Sequence, residues 1–164
     1  MRRMWLVGMP GAGKTTVGRA VATQLGVEFT DTDELVESMV GRSIATIWSE
    51  DGESIFREFE TIVVSGLGDV TGVISSGGGA ILEPRNRAVM SGMVVWLEAR
   101  PETIASRLDG NSNRPLLAGV MVDRIVETLT AREALYASIA DHRVSTDTVT
   151  IDEVVSEVVS LWPG

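Results

Sequence analysis

Gly8-Met9-Pro10-Gly11-Ala12-Gly13-Lys14-Thr15 follows the apolar run Met4-Trp5-Leu6-Val7 and opens a helical stretch, Thr15 to Leu25. The spacing G-x-x-x-x-G-K-T lets glycines curl the backbone around an anion, with N–H groups turned inward at the positive end of the following helix. The strand before and the helix after supply the context this mechanism needs. Gly11, Ala12, Gly13, Lys14, Thr15 and Thr16 are therefore the candidate phosphate contacts. Lys14 is placed to reach the β- and γ-phosphates, and the Thr15 hydroxyl to ligate Mg²⁺. Lys14 is also the sole lysine of the chain, among arginines that are too wide and forked to enter between phosphates in its place.

Working outward, Val27 to Thr30 reads as a short strand running into Asp31-Thr32-Asp33, with helical spacing resuming at Glu34 and ending at Gly41. Carboxylates at the C-terminal end of a parallel strand face the ligand crevice, although either aspartate would equally cap the next helix. Ile55, Phe56, Phe59, Ile62 and Val63 form a helical apolar stripe, with Arg57 and Glu60 spaced as a surface ion pair. The strand Gly72 to Ser76 enters Gly77-Gly78-Gly79, whose entropic cost points to a close backbone approach. Short helical spacing follows at Pro84 to Ser91, then a core strand at Met93 to Leu97 and a helix at Pro101 to Leu108. Residues 109–119 break all periodicity and read as a mobile lid. A long helix, Met121 to Ile139, carries Ile125, Leu129, Leu135 and Ile139 as its apolar positions; Val144 to Thr146 and Ile151 to Leu161 close the chain as strand and helix.

Strands alternating with helices predict one α/β domain over residues 1–164, three layers with a mainly parallel five-stranded sheet. The 164 residues suit a single core. No apolar run approaches the ~20 residues of a membrane span, and no targeting segment is expected. Zero cysteines exclude disulfides and thiol chemistry and fit a reducing cytoplasm. A net charge of −9 argues against a nucleic-acid or anionic-membrane partner, so an anionic substrate needs local arginines. A single lysine also rules out the Asn-Lys-x-Asp guanine motif, which leaves a small-molecule kinase ahead of a switch or motor.

Together these pieces resemble the shikimate kinases along nearly the whole chain. Beyond Gly8 to Thr16, the resemblance rests on Asp31-Thr32-Asp33, Gly52-Glu53 with Phe56-Arg57 and Glu60, the triple glycine, Arg114-Pro115-Leu116-Leu117, and Arg132 with Leu135-Tyr136. It implies a P-loop kinase fold and transfer of the γ-phosphoryl of ATP, with Mg²⁺, to the 3-hydroxyl of shikimate in the route to chorismate. By the same resemblance Asp33 contacts the reacting hydroxyl, Asp31 lies near the metal through water, and residues 31–60 form the acceptor region. Arg57 and Arg132 grip the acceptor carboxylate beside Gly77, Gly78 and Gly79. Arg114 closes over the phosphates, Arg107 lies near adenine, and Trp48 and Phe56 form aromatic walls. A monomer acting on small molecules is expected. Trp48, Ala134 and the segment Asp147 to Thr150 depart from the family pattern, and no adenine contact is assigned to that segment.

Overall fold

The computed structural model describes residues 2–109 and 115–164, with the backbone alone for 115–118. Strands β1 (Arg3–Val7), β2 (Phe29–Asp31), β3 (Gly72–Ser75), β4 (Met93–Glu98) and β5 (His142–Ser145) form one sheet in the order β2-β3-β1-β4-β5. Every pairing is parallel. The first strand made lies at the centre, buried on both faces, which explains its unbroken apolar character.

Side chains alternate across that centre. Trp5 and Val7 join Ile74, Val94 and Trp96 in the core on one face. Met4 and Leu6 join Val73, Val95 and Leu97 on the other. Helices α1 (Lys14–Leu25) and α8 (Ile151–Ser160) cover the second face through Val17, Val21, Val154, Val155 and Val158. Helices α4 (Glu53–Ser65), α6 (Pro101–Asp109) and α7 (Pro115–Ile139) supply Val64, Ile104, Ala105, Ile125 and Tyr136 to the first. A one-residue slip would turn both sets the wrong way, and each large apolar side chain is worth ~1.5–3 kcal/mol when buried, so the pattern fixes the register.

Between β2 and β3 the chain makes α2 (Thr32–Val40), α3 (Ile44–Glu50) and α4, which pack on a satellite cluster of Val36, Ile47, Phe56 and Val63. Gly41, left-handed with φ 74°, ends α2 as expected. A short 3₁₀ turn, Ala80–Leu82, and α5 (Pro84–Val89) connect β3 to β4.

Two expectations are revised. Ile62 is 59% exposed and Val64 fully buried, because the inward face of α4 runs Phe56, Glu60, Val63, Val64, with a carboxylate at its middle. An apolar-only stripe passes over Glu60 and selects the wrong flank. Helix α7 begins at Pro115, six residues before the expected start, so the non-periodic stretch does not reach 119. Proline at the first helical position has its φ already set and no N–H to lose, and Gly119 inside the helix costs only ~1 kcal/mol. The rest of the expected lid, with Arg114, lies outside the described residues. No helix among the described residues is long and apolar enough to cross a membrane.

Candidate active site

Three cavities adjoin at the C-terminal ends of the strands. The first, about 330 Å³, is the concavity of the glycine loop, lined by Pro10, Gly11, Gly13, Lys14, Thr15, Thr16, Asp31, Asp33, Ser75 and Ser76. Gly11 and Gly13 hold φ 81° and 95°, left-handed values that bend the backbone into a cradle at the start of α1. Lys14 lies back along this loop and donates to the carbonyls of Gly8 (2.8 Å) and Met9 (2.9 Å). Burial pulls its pKa from 10.5 down to about 8, against the pull of Asp33 and Asp31, with Arg132 adding to the depression.

Asp31 divides its two oxygens. Oδ1 accepts from the backbone N–H of Asp33 (2.9 Å) and Glu34 (3.3 Å), capping α2, while Oδ2 accepts from the Thr15 hydroxyl at 2.7 Å. The capping and crevice readings of this residue therefore both hold, and it is Asp31, not Asp33, that caps. Mg²⁺ is ordinarily held by one or two protein oxygens completed by substrate phosphate and water, and this hydroxyl–carboxylate pair on the wall of an anion cradle suits it.

The second cavity, about 200 Å³, lies behind the loop between Ala12, Gly13, Thr16, Val17, Arg107, Thr146, Val149, Ile151 and Val154. The Arg107 guanidinium bridges its two walls, donating to the Gly11 carbonyl (3.1 Å) and to the Thr146 hydroxyl (3.0 Å) and carbonyl (2.8 Å). Sequence reasoning named Arg107 as a residue near adenine, left the segment containing Val149 unassigned, and missed Thr146 and Ile151. The half-exposed Val149 and Ile151, apolar where a surface loop should be polar, were the available signal.

The third cavity, about 410 Å³, lies on the far side of the loop. Asp33, Arg57, Glu60, Arg132 and Gly77 to Gly79 surround it, with Trp48 and Phe56 as an aromatic side. Arg57 lies over both rings, 5.8 Å from the centre of Trp48 and 5.1 Å from that of Phe56. It also pairs with Glu60 at 2.8 Å, a carboxylate only 1% exposed, so the pair expected on the surface is built into the cavity wall. Among the described residues, buried Asp33 Oδ1, Arg57 Nε and Glu60 Oε1 each lack a partner, and all three belong to residues of this cavity. Burial, then Asp31 and Glu60, raise the Asp33 pKa from 3.8 to about 6, opposed by Lys14 and Arg57. Glu60 is likewise pushed upward by burial, against Arg57.

Each of the three glycines answers to a different neighbour. A Cβ on Gly77 would lie 2.6 Å from Glu60 Oε1 and 2.7 Å from Asp33 Oδ1. On Gly78 it would meet Pro10 Cδ at 2.5 Å, and on Gly79 the Arg57 guanidinium at 2.3 Å. The backbone is thus pressed against both carboxylates, the phosphate loop and an arginine at once. Glu60 was absent from the expected site set; its buried position inside the α4 stripe is what marks it.

A parallel sheet in this order, with a phosphate cradle after its central strand and a charged cavity beside it, defines a small P-loop kinase. The family model for shikimate kinase matches residues 10–162. A shikimate kinase of Symbiobacterium thermophilum is 42% identical over 160 residues, covering 93% of this chain and 91% of that protein. One from Mycobacterium tuberculosis is 44% identical over 158 residues, covering 94% and 90%. The solved shikimate kinase from Acinetobacter baumannii in complex with shikimate superposes with a TM-score of 0.88 at 34% identity, covering 98% of this chain and 92% of that one. The chain belongs to the shikimate kinase family, whose activity is the ATP- and Mg²⁺-dependent phosphorylation of shikimate.

Proposed function

We propose that the three cavities divide the reaction, the two around the glycine loop holding ATP and the third holding shikimate with its 3-hydroxyl toward the loop. The observation that carries this is the convergence of Asp33 Oδ1, Arg57 Nε and Glu60 Oε1, three buried polar groups without partners among the described residues, on a cavity open beside Lys14. Polar groups are left so only at a cost, which a polyhydroxylated acid removes by supplying hydroxyl donors to the carboxylates and a carboxylate to the arginines.

In this reading Arg57 and Arg132 take the acceptor carboxylate, a planar group that matches a planar fork. Asp33 accepts a hydrogen bond from the reacting hydroxyl and orients it toward the γ-phosphoryl, and Gly77 to Gly79 admit the ring against bare backbone. Phosphoryl transfer passes through a loose transition state with charge on the equatorial oxygens, so alignment and positive charge matter more than a strong base. Lys14 leaves the carbonyls of Gly8 and Met9 for the phosphates and keeps its proton beside that negative charge. The backbone N–H groups from Gly11 to Thr16 fix the β-phosphate. Thr15 would hold Mg²⁺, with Asp31 behind it through water, and the ion would supply neutralisation of the phosphate charge. Arg107 supports the adenine side, and Arg114, outside the described residues, is assigned to the transferring phosphoryl by the family resemblance.

Measuring ADP release with shikimate, gluconate and nucleoside monophosphates as acceptors tests the reading. Release is expected only with shikimate, and release no faster than without acceptor overturns it. The chain is further taken as a monomeric, cytoplasmic, single-domain enzyme without nucleic-acid or membrane partners. Its net charge of −9 and lack of cysteine support this, and a light-scattering mass other than 17.6 kDa would refute the monomer.

A further inference from the structure

The Tyr136 hydroxyl, on α7, donates to the carbonyl of Gly78. Its ring is fully buried and stacks on Trp96 of β4, centre to centre 5.4 Å, so the hydroxyl has little freedom to move. Arg132, one helical turn earlier, faces the phenol oxygen from the acceptor cavity.

The bond falls on a special peptide. Gly77 to Ala80 is a β-turn closed by Ala80 N–H to Gly77 carbonyl at 3.1 Å, and its central peptide joins Gly78 to Gly79. Gly79 has φ −98° and ψ 0°, the values of a type I turn. Glycine at that position is just as free to adopt the positive φ of a type II turn, which rotates the central peptide by about half a turn. Carbonyl and N–H of a trans peptide point in opposite directions, so whatever holds the Gly78 carbonyl also aims the Gly79 N–H. A run of three glycines, needed for close approach to Asp33, Glu60, Pro10 and Arg57, cannot choose between these turns by itself.

We propose that Tyr136 is a positioning residue for the acceptor: by holding the Gly78 carbonyl it locks the Gly78–Gly79 peptide in one orientation and keeps the Gly79 N–H set for shikimate. This rests on the assignment of the third cavity to shikimate. Helix α7 then serves the acceptor twice, directly through Arg132 and indirectly through Tyr136.

Tyr136→Phe keeps the ring and its stack and deletes only the hydroxyl. The KM for shikimate is expected to rise about tenfold, the worth of one buried hydrogen bond, while the KM for ATP stays within about twofold. In the free protein the amide NMR signals of Gly78 and Gly79 should shift or broaden as the peptide begins to flip. An unchanged KM for shikimate overturns the proposal, as do unmoved glycine signals. So does an equal rise in both KM values, which would report general loosening. Arg132→Ala, measured alongside, separates the two levels. If it weakens shikimate binding and Tyr136→Phe does not, the positioning role fails and the cavity assignment stands; if Arg132→Ala has no effect, the assignment itself fails.

Discussion

The two halves of the proposed site are built from different material. The donor half is mostly backbone: a run of nine residues, Gly8 to Thr16, whose glycines present N–H groups and whose side-chain chemistry reduces to one ammonium and two hydroxyls. The acceptor half is mostly side chain, with Asp33 from α2, Arg57 and Glu60 from α4 and Arg132 from α7 meeting over the glycines after β3. A backbone site is local and fails through a few positions. A side-chain site assembled from distant segments is graded and fails piece by piece, each loss being mainly one of acceptor affinity.

The sharpest way to break that contrast is at Lys14. Lys14→Met is expected to lower kcat by about 10³-fold, because charge placed on the transferring group acts mainly in the transition state; the check is steady-state kinetics at saturating shikimate. A loss confined to KM for ATP would mean that the loop only binds.

Asp33→Asn should lower kcat by about 10²-fold, less than a strong general base would lose. Protonation of Asp33 should also make kcat/KM for shikimate fall below pH 6 in the parent enzyme, a limb absent in Asp33→Asn. The stability consequence has the opposite sense. Asp33 has its folded pKa raised above 3.8, so the folded state binds the extra proton between pH 4 and 6, and this group's contribution to stability grows as pH falls through that window. Asp33→Asn should remove that gain, as read from urea unfolding at pH 4.5 and 7.

Arg132→Ala should weaken shikimate binding by about 30-fold, roughly 2 kcal/mol, with ATP affinity unchanged, as measured by titration calorimetry. The smallest effect is expected at Trp48, which is 41% exposed on the aromatic side of the cavity. Trp48→Phe should change KM for shikimate by no more than about threefold, since a second aromatic ring can still cover Arg57. A large effect there would move Trp48 from wall to direct contact.

The donor half was legible because its information is contiguous: the motif, the strand before it and the helix after it are read in one pass. The inner strands β1 and β4 were legible for a similar reason, since buried parallel strands are unbroken apolar runs. Asp33 was legible as a carboxylate at a strand's end, with capping as the alternative, whereas Arg57 and Arg132 came from the family resemblance, because spacing alone leaves Arg57 and Glu60 as an ordinary helical ion pair. What escaped was set by tertiary context. Glu60 was read only as the surface partner of Arg57 and as one piece of the family pattern, although its burial marks where α4 faces the cavity. The start of α7 was misplaced because the glycine at 119 reads as a breaker, while in a long helix packed on the core it is tolerated. Thr146 and Val149, in the loop after β5, and Ile151, at the start of α8, line the second cavity without a sequence motif, and only the fold brings them to Arg107.

The central place of β1 also bears on how the chain comes to be folded. This strand leaves the ribosome before its two partners, β3 and β4, which begin at Gly72 and Met93, and both pairings are parallel with long crossovers. Until those segments exist, Met4-Trp5-Leu6-Val7 is an apolar strand with two open edges, a form prone to pair with another chain. Most loop-closure entropy must then be lost before the centre of the sheet contributes stability, so folding should be slow for a domain of this size and most prone to aggregation in its earliest, half-synthesised state.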